Sequence, residues 1–206
     1  MPSPTHWEAT WTALGARDLP ALRGTYEDLV ARYSEPHRKY HTLRHLEDCL
    51  ATFAEVRALA ERPAEVEVAL WFHDAVYDTR SDQNEARSAE LAAETVIGTG
   101  QPPGCAHRIE TLVMATRHDA TPTDTDAKVL ADVDLSILGA DPRRFDEYER
   151  QVREEYGWMP GPLYRSGRRK ILQAFMTRPV IFSTPHMRAR HEARARANIA
   201  RSLEAL

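Results

Sequence analysis

The sequence PAEVEVALWFHDAVYD, residues 63–78, is the segment that decides the fold. Its apolar positions recur at the i, i+3, i+4, i+7 spacing of an amphipathic helix, and the stripe that they form is Val66, Ala69, Leu70, His73, Val76 and Tyr77. This spacing predicts a helix over 63–78. His73 lies within the stripe with Asp74 next to it, so the helix would direct an imidazole into a core that accepts polar groups only when they have partners.

The segments on either side of 63–78 show the same helical spacing. It extends over 42–62, 84–97, 105–118, 124–139 and 186–204, and most of the 13 prolines fall where one segment stops and another starts. We find no strand alternation over six residues and no internal repeat. The sequence therefore predicts an all-α fold, a compact single domain over residues 1–206 with roughly eight to ten helices.

Polar residues at the starts of three segments predict helix N-caps. These are Thr42 for the helix 43–62, Asp82 or Ser81 for the helix 84–97, and Ser183 or Thr184 for the helix 186–204. Gly98 and Gly100 predict the end of the helix that starts at 84.

Composition is typical of a globular protein from a reducing compartment. The chain has 206 residues, a formal charge of -4 and two cysteines, Cys49 and Cys105, which are too few for a disulfide scaffold. The longest apolar run, Val68 to Phe72, is far too short to span a membrane. We therefore expect a cytoplasmic protein with no membrane partner. The negative charge argues against nucleic acid as a partner, and a homo-oligomer stays open.

Two further polar residues occupy positions that suit metal binding. Asp134 lies in the apolar stripe of 124–139, where a buried carboxylate needs a counter-charge that a divalent cation can supply. His45 falls in the first turn of the helix capped by Thr42, where the helix dipole favours the neutral imidazole that ligation requires. His41 shares the face of His45 if that helix begins earlier. Each residue taken singly also suits an ordinary hydrogen bond or ion pair in the core.

The order of His, His-Asp and a distant Asp on an all-α chain resembles the HD-domain superfamily. The matching strings are Tyr40-His41-Thr42-Leu43-Arg44-His45-Leu46, Trp71-Phe72-His73-Asp74-Ala75-Val76-Tyr77-Asp78 and Ala131-Asp132-Val133-Asp134-Leu135. More narrowly, residues 5–200 are similar to a bacterial group of like length, the predicted metal-dependent HD phosphohydrolases. The marks of that group are Arg38-Lys39-Tyr40-His41, Asn84-Glu85, Ser88-Ala89, Glu192, Ala195-Arg196 and Asn198.

The resemblance implies an HD-type helical bundle with a metal site. His45, His73, Asp74 and Asp134 match the four ligands of the family, a mixed nitrogen and oxygen set that suits Mn, Fe, Co, Ni, Zn or Mg. Asp134 is preferred to Asp132 because it matches the second Asp of the motif and also falls on the apolar stripe. A water activated by the metal would attack phosphorus.

The remaining candidate residues would handle protons and substrate. We expect Asp78, four residues after Asp74 on the predicted helix, to take a proton from the activated water or to position it, with Glu85 as second choice. His118 would bind a second metal or the phosphate, unless it is a surface histidine stabilised by a helix C-terminus. The substrate-binding candidates are His41, Arg44, Asn84 and Glu85.

The implied function is that of an enzyme, a metal-dependent phosphohydrolase acting on a phosphate ester of a small molecule or nucleotide. Residues 73–79 also look like the HDxxEDT segment of alarmone (guanosine tetraphosphate) hydrolases, but Tyr77 replaces the Glu and Leu138 stands where those enzymes have Asn. Two further alternatives are a non-catalytic metal- or nucleotide-binding regulatory module and a structural bundle whose His and Asp residues pair internally.

Overall fold

Ten α-helices build the part of the chain that the computed structural model describes, residues 2–206, and these residues contain no β-strand. The helices are α1 (Pro4–Leu14), α2 (Arg23–Arg32), α3 (Leu43–Val56), α4 (Pro63–Phe72), α5 (Asn84–Gly98), α6 (Pro103–Met114), α7 (Thr125–Asp134), α8 (Pro142–Glu155), α9 (Gly161–Thr177) and α10 (Pro185–Ala205). Short 3-10 helices lie at Pro20–Leu22, Arg57–Leu59, Ala115–Arg117 and Leu135–Gly139. The all-α prediction is confirmed. None of the described helices combines the length and apolar character needed to cross a membrane.

The chain divides into two compact units, one that ends at Ala131 and one formed by Asp132–Leu206. The boundary falls inside α7, so the last turn of that helix belongs to the second unit. A single domain over residues 1–206 stays a prediction, and Met1, which that range includes, lies outside the described residues.

Proline begins half of the α-helices, as the sequence indicated. Pro4, Pro63, Pro103, Pro142 and Pro185 each occupy the first residue of a helix. The missing N–H of proline costs nothing there, because the first N–H groups of a helix have no partner within it. The prolines therefore separate the helices without interrupting them.

The predicted N-caps agree with the structure only in part. Thr184 caps α10 through its hydroxyl group. Thr42 occupies the N-cap position of α3 with extended backbone, but its hydroxyl accepts no hydrogen bond from the helix. The prediction for α5 was wrong, since Gln83 precedes that helix and neither Asp82 nor Ser81 caps it. The Ser81 hydroxyl instead accepts a hydrogen bond from the backbone N–H of Gln83.

Helix α4 is buried on all sides, which the single stripe predicted from its sequence did not anticipate. Every residue from Glu65 to Phe72 is buried, because α4 contacts α1, α3, α5 and α6. Its two carboxylates are paired: Glu65 accepts hydrogen bonds of 2.6 and 2.8 Å from Arg108, and Glu67 pairs with Arg57. These partners offset the cost of placing charges inside the first unit.

Helix α4 ends at Phe72, so the prediction of a helix over 63–78 was wrong beyond that residue. The chain turns away because a buried guanidinium group binds the backbone that follows. Arg38 donates hydrogen bonds to the carbonyl oxygens of Asp74, at 2.6 Å, and of Ala75, at 3.1 Å. His73 and Asp74 therefore lie in a turn at the end of a buried helix.

In the second unit, α10 packs against the 3-10 helix Leu135–Gly139 and against α9. Gly139 is required at this contact, since a Cβ atom there would lie only 2.6 Å from the Cβ of His191. Asn198 also donates a hydrogen bond of 2.9 Å to the carbonyl oxygen of Leu138. The helix predicted over 124–139 is an α-helix only to Asp134, and the chain continues as the 3-10 helix Leu135–Gly139.

Candidate metal centre

His73 follows α4 directly and is held by a hydrogen bond to the end of that helix. Its Nδ1 lies 2.7 Å from the carbonyl oxygen of Leu70. Because a carbonyl oxygen only accepts, Nδ1 must carry the proton, and in the neutral ring Nε2 then presents a lone pair. The residue is only 1% exposed. A backbone carbonyl that fixes the tautomer in this way is typical of a histidine that binds a metal through its other nitrogen.

Two further donor atoms converge on Nε2 of His73. Nε2 of His45 lies 3.1 Å from it, and Oδ2 of Asp74 lies 3.0 Å from it and 3.3 Å from His45 Nε2. Two ligands bound to one cation at about 2.1 Å lie about 2.9 to 3.4 Å apart, for angles between the octahedral and the tetrahedral. All three separations fall in that range. The three side chains therefore fit a divalent cation as they stand.

The electrostatics of this cluster call for a cation. A carboxylate oxygen only accepts hydrogen bonds, so Asp74 and a neutral His73 would face each other with lone pairs. Burial raises the pKa of the Asp74 carboxyl, but the charges of His73 and His41 and hydrogen bonds from His45 and His73 hold that pKa well below its usual range. A proton on His73 and a bound metal ion are thus alternative ways to resolve the same conflict.

Helix α3 positions His45 in its first turn, as predicted, and the residue is 2% exposed. Cys49 follows one turn later, with its Sγ 3.7 Å from Nδ1 and 3.8 Å from Nε2 of His45. Ligand atoms of His45, Cys49 and His73 all lie within 4.8 Å of one another. Sequence reasoning considered Cys49 only as one of two cysteines, although its spacing of four residues from a candidate ligand was a usable signal.

His41 lies beside the cluster but not on α3, which begins at Leu43. The alternative in which this helix begins early enough to include His41 is therefore wrong. The imidazole of His41 instead stacks on Tyr77, with ring centroids 4.2 Å apart, and its centroid lies 5.8 Å from that of His45. A turn, rather than a helix face, brings His41 to the edge of the cluster.

Arg38 holds the two segments of the site together, a role that sequence reasoning missed. Its buried guanidinium donates hydrogen bonds to the backbone carbonyls of His41, Asp74 and Ala75. It also lies over the ring of Tyr33, whose hydroxyl accepts a hydrogen bond from the backbone N–H of Asp74. The sequence marked Arg38 as part of a motif but gave no sign that its partners would be backbone atoms.

Asp78 does not share a helix face with Asp74, because residues 73–83 are not helical. Its carboxylate accepts a hydrogen bond from the backbone N–H of Arg80, and its backbone N–H and C=O both bond to the Asn84 amide, at 3.0 and 2.9 Å. The helical argument for Asp78 as the proton acceptor is therefore wrong. The Asn84 side chain, predicted to contact substrate, is engaged in closing this loop.

The other predicted site residues lie on three separate elements. Arg44 is exposed on α3, and Glu85 lies in the first turn of α5. The helix predicted over 105–118 is an α-helix only to Met114, and His118 follows a 3-10 turn with a left-handed φ of 54°. The roles given to Arg44, Glu85 and His118 stay predictions.

The second unit contains both aspartates considered for the fourth ligand. Asp132 is buried, and its carboxylate accepts hydrogen bonds of 2.7 Å from the N–H groups of Ser183 and Thr184 and from the Thr184 hydroxyl. Burial raises the pKa of this carboxyl, and the same hydrogen bonds oppose the rise. Asp132 thus secures the start of α10. Asp134 ends α7, and its role as a ligand stays a prediction.

The C-terminal residues that carried the resemblance make structural contacts within the second unit. The Glu192 carboxylate accepts hydrogen bonds from the backbone N–H of Ile181. It also forms an ion pair with Arg196, with a nitrogen–oxygen distance of 2.7 Å. Asn198 binds the carbonyl oxygen of Leu138. These residues hold α10 in place.

No protein-family model, curated protein or solved structure matches the chain. Membership of the HD-domain superfamily therefore stays a prediction that rests on the motif residues, of which His45, His73 and Asp74 come together in space.

Proposed function

We propose that the protein is a metal-dependent phosphohydrolase that acts on a phosphate ester of a small molecule or nucleotide. One observation carries the proposal. The Nε2 lone pair of His73, fixed by the bond from Nδ1 to Leu70, faces Oδ2 of Asp74 at 3.0 Å and Nε2 of His45 at 3.1 Å. Two acceptors at this distance in a largely buried site need a proton or a metal ion between them, and a divalent cation would satisfy all three atoms at once.

His45, His73 and Asp74 would hold the cation. Asp134 is the proposed fourth ligand, which is supported by the engagement of Asp132 with the start of α10. When bound, a divalent cation activates water and neutralises charge that develops on a phosphoryl group. Asp74 is the most open of the three clustered ligands, with 19% of its side chain exposed, so substrate would approach from its side.

Arg38 and His41 would complete the site around the ligands. Arg38 fixes the backbone of the Asp74 turn, which keeps the carboxylate oriented toward both imidazoles. His41 is held against Tyr77 at the edge of the cluster, where a protonated ring would donate a hydrogen bond to a phosphate oxygen or a proton to a leaving group. A positive charge on this ring would also lower the pKa of the Asp74 carboxyl.

A second candidate, a non-catalytic metal- or nucleotide-binding regulatory module, is favoured by the position of Asp78. That residue is exposed, and its carboxylate is engaged with the backbone of its own loop. The ligands are therefore better defined than a general base, which is the pattern expected if the metal serves binding alone.

Turnover and metal content, measured together, test the proposal. The purified protein is assayed against phosphomonoesters and nucleotides with each of Mn²⁺, Fe²⁺, Co²⁺, Ni²⁺, Zn²⁺ and Mg²⁺, beside His73→Ala and the exposed control His107→Ala. We expect metal-dependent hydrolysis that falls more than about a hundredfold in His73→Ala and is unchanged in the control. Full activity in His73→Ala contradicts the mechanism. Bound metal without turnover of any ester supports the regulatory module.

A further inference from the structure

Cys49 is a buried thiol beside the candidate metal centre that the family pattern does not use. It lies one turn after His45 on α3 and is 1% exposed. Its Sγ lies 3.8 Å from Nε2 of His45, the same nitrogen that faces His73 and Asp74. Sγ is almost equally far, at 3.7 Å, from Nδ1 of the same ring, so it lies beside the imidazole and next to the position where the imidazoles and the carboxylate converge.

The distance from sulfur to nitrogen fits shared coordination. A tetrahedral zinc ion with bonds of about 2.3 Å to sulfur and about 2.05 Å to nitrogen places those two atoms about 3.6 Å apart. The observed 3.8 Å between Cys49 Sγ and His45 Nε2 is close to this value, and a change of the Cys49 rotamer would move the sulfur away from Nδ1, now 3.7 Å distant, and onto the ion. Ligand atoms of Cys49, His45 and His73 also lie within 4.8 Å of one another, as they must around one ion.

The other cysteine of the chain has a different environment. Cys105 is buried on α6, and burial followed by the negative charge of Glu65 raises the pKa of its thiol to about 11. A thiol of this kind resists the deprotonation that metal binding requires. Cys105 is thus a matched control for Cys49, because both are buried cysteines on helices of the first unit and neither forms a disulfide.

We propose that Cys49 binds the metal through its thiolate, together with His45, His73 and Asp74. The inference rests on the proposed function, since it assumes a metal at this site. On binding, the thiol transfers its proton to solvent and the sulfur donates to the cation. A thiolate in the ligand set shifts selectivity toward Zn²⁺, Co²⁺ and Fe²⁺ and away from Mg²⁺, whose preferred ligands are oxygens.

A competing arrangement uses the same atoms without a sulfur–metal bond. Cys49 Sγ lies 3.7 Å from Nδ1 of His45, a separation at which sulfur accepts a weak hydrogen bond from N–H. In that case Cys49 orients the His45 ring and never contacts the ion. The two arrangements differ in whether light absorption transfers charge from sulfur to the metal.

Cobalt substitution separates the two arrangements. The chelator-treated protein, Cys49→Ser and Cys105→Ser are titrated with Co²⁺, while near-ultraviolet absorption reports thiolate-to-cobalt charge transfer and the visible bands report total bound cobalt. We expect the charge-transfer band in the unmodified protein and in Cys105→Ser, and its loss in Cys49→Ser with visible bands retained. Cobalt bound to the unmodified protein without the charge-transfer band overturns the proposal, whatever the variants do.

Competition between metals supplies a second measurement. We expect Cys49→Ser to lose about tenfold or more in Zn²⁺ affinity while its Mg²⁺ affinity changes by less than about twofold. Equal losses for both ions assign Cys49 a packing role and overturn the proposal. Failure of every form to bind cobalt or zinc removes the proposed metal site itself, so the two failures are distinguishable.

Discussion

Two aspartates, the half-buried Asp74 in the first unit and the buried Asp132 in the second, solve the same physical problem in opposite ways. Asp132 accepts three hydrogen bonds, two of them from backbone N–H groups at the start of α10. Asp74 faces two imidazole nitrogens, and one of these carries a lone pair whenever its ring is neutral. The first carboxylate is satisfied by fixed donors, and the second needs either a proton on His73 or a bound metal ion.

A structural carboxylate and a candidate metal ligand therefore differ in one respect, which is the type of partner that each of them faces. Both residues are aspartates within predicted helices, and the sequence around each one does not distinguish their chemistry. A carboxylate that accepts hydrogen bonds from backbone N–H groups stabilises the fold. A carboxylate that faces other acceptors forms a site whose charge depends on the proton or metal ion bound there.

The largest expected effect on stability is that of Asp132→Ala. Removing the carboxylate leaves two buried N–H groups and one hydroxyl without their acceptor, which costs about 3–5 kcal/mol in the free energy of unfolding. Urea unfolding measures this value, with the exposed Asp119→Ala as the control that should change it by less than about 0.5 kcal/mol. A loss below about 1 kcal/mol for Asp132→Ala would show that water replaces the carboxylate.

Metal binding should stabilise the protein, and the gain should depend on Asp74. At a free metal concentration one hundred times Kd, the unmodified protein gains about 2.7 kcal/mol, a rise in Tm of about 5–10 °C for a chain of this size. Asp74→Asn should abolish the rise, whereas Asp82→Asn in the exposed loop should retain it. Thermal unfolding with and without Zn²⁺ measures both, and an undiminished rise in Asp74→Asn would falsify the ligand assignment.

The smallest of the three effects is expected for Arg38→Lys. The guanidinium serves three carbonyl oxygens of the site through a planar fork, which a lysine ammonium cannot reproduce. We expect a loss of about 1–2 kcal/mol in the free energy of unfolding, measured by urea titration. Arg32→Lys, at an exposed ion pair with Asp28, is the control. Equal stability of the two variants contradicts the role given to Arg38.

The fold was largely predictable because helix periodicity and proline are local signals. Prolines such as Pro63 and Pro142 mark helix starts in the sequence and in the structure. The end of α4 was not predictable, because it depends on Arg38, which is more than thirty residues away in sequence and binds backbone atoms. Periodicity also failed to show that α4 is buried on every side, since contacts with four other helices decide that.

The part of the candidate site that the sequence predicted consists of residues whose side-chain type alone marks them as possible metal ligands. His45, His73 and Asp74 come together as the sequence led us to expect. The argument that placed Asp78 beside Asp74 failed, because it assumed a helix that ends at Phe72, before either residue. Cys49 was missed because a cysteine in an apolar stripe looks like any other core residue until a neighbouring imidazole is located in space.

The hydrogen bond from His73 Nδ1 to the carbonyl oxygen of Leu70 has a consequence for motion. That carbonyl is one of the last four of α4, which have no donor within the helix, so the imidazole serves as its cap. An ion that restrains the ring would also restrain the final turn. Fraying of the end of α4 would then be coupled to release of the ion. Amide hydrogens near Phe72 should therefore exchange more slowly in the metal-bound protein, although none of them contacts the metal.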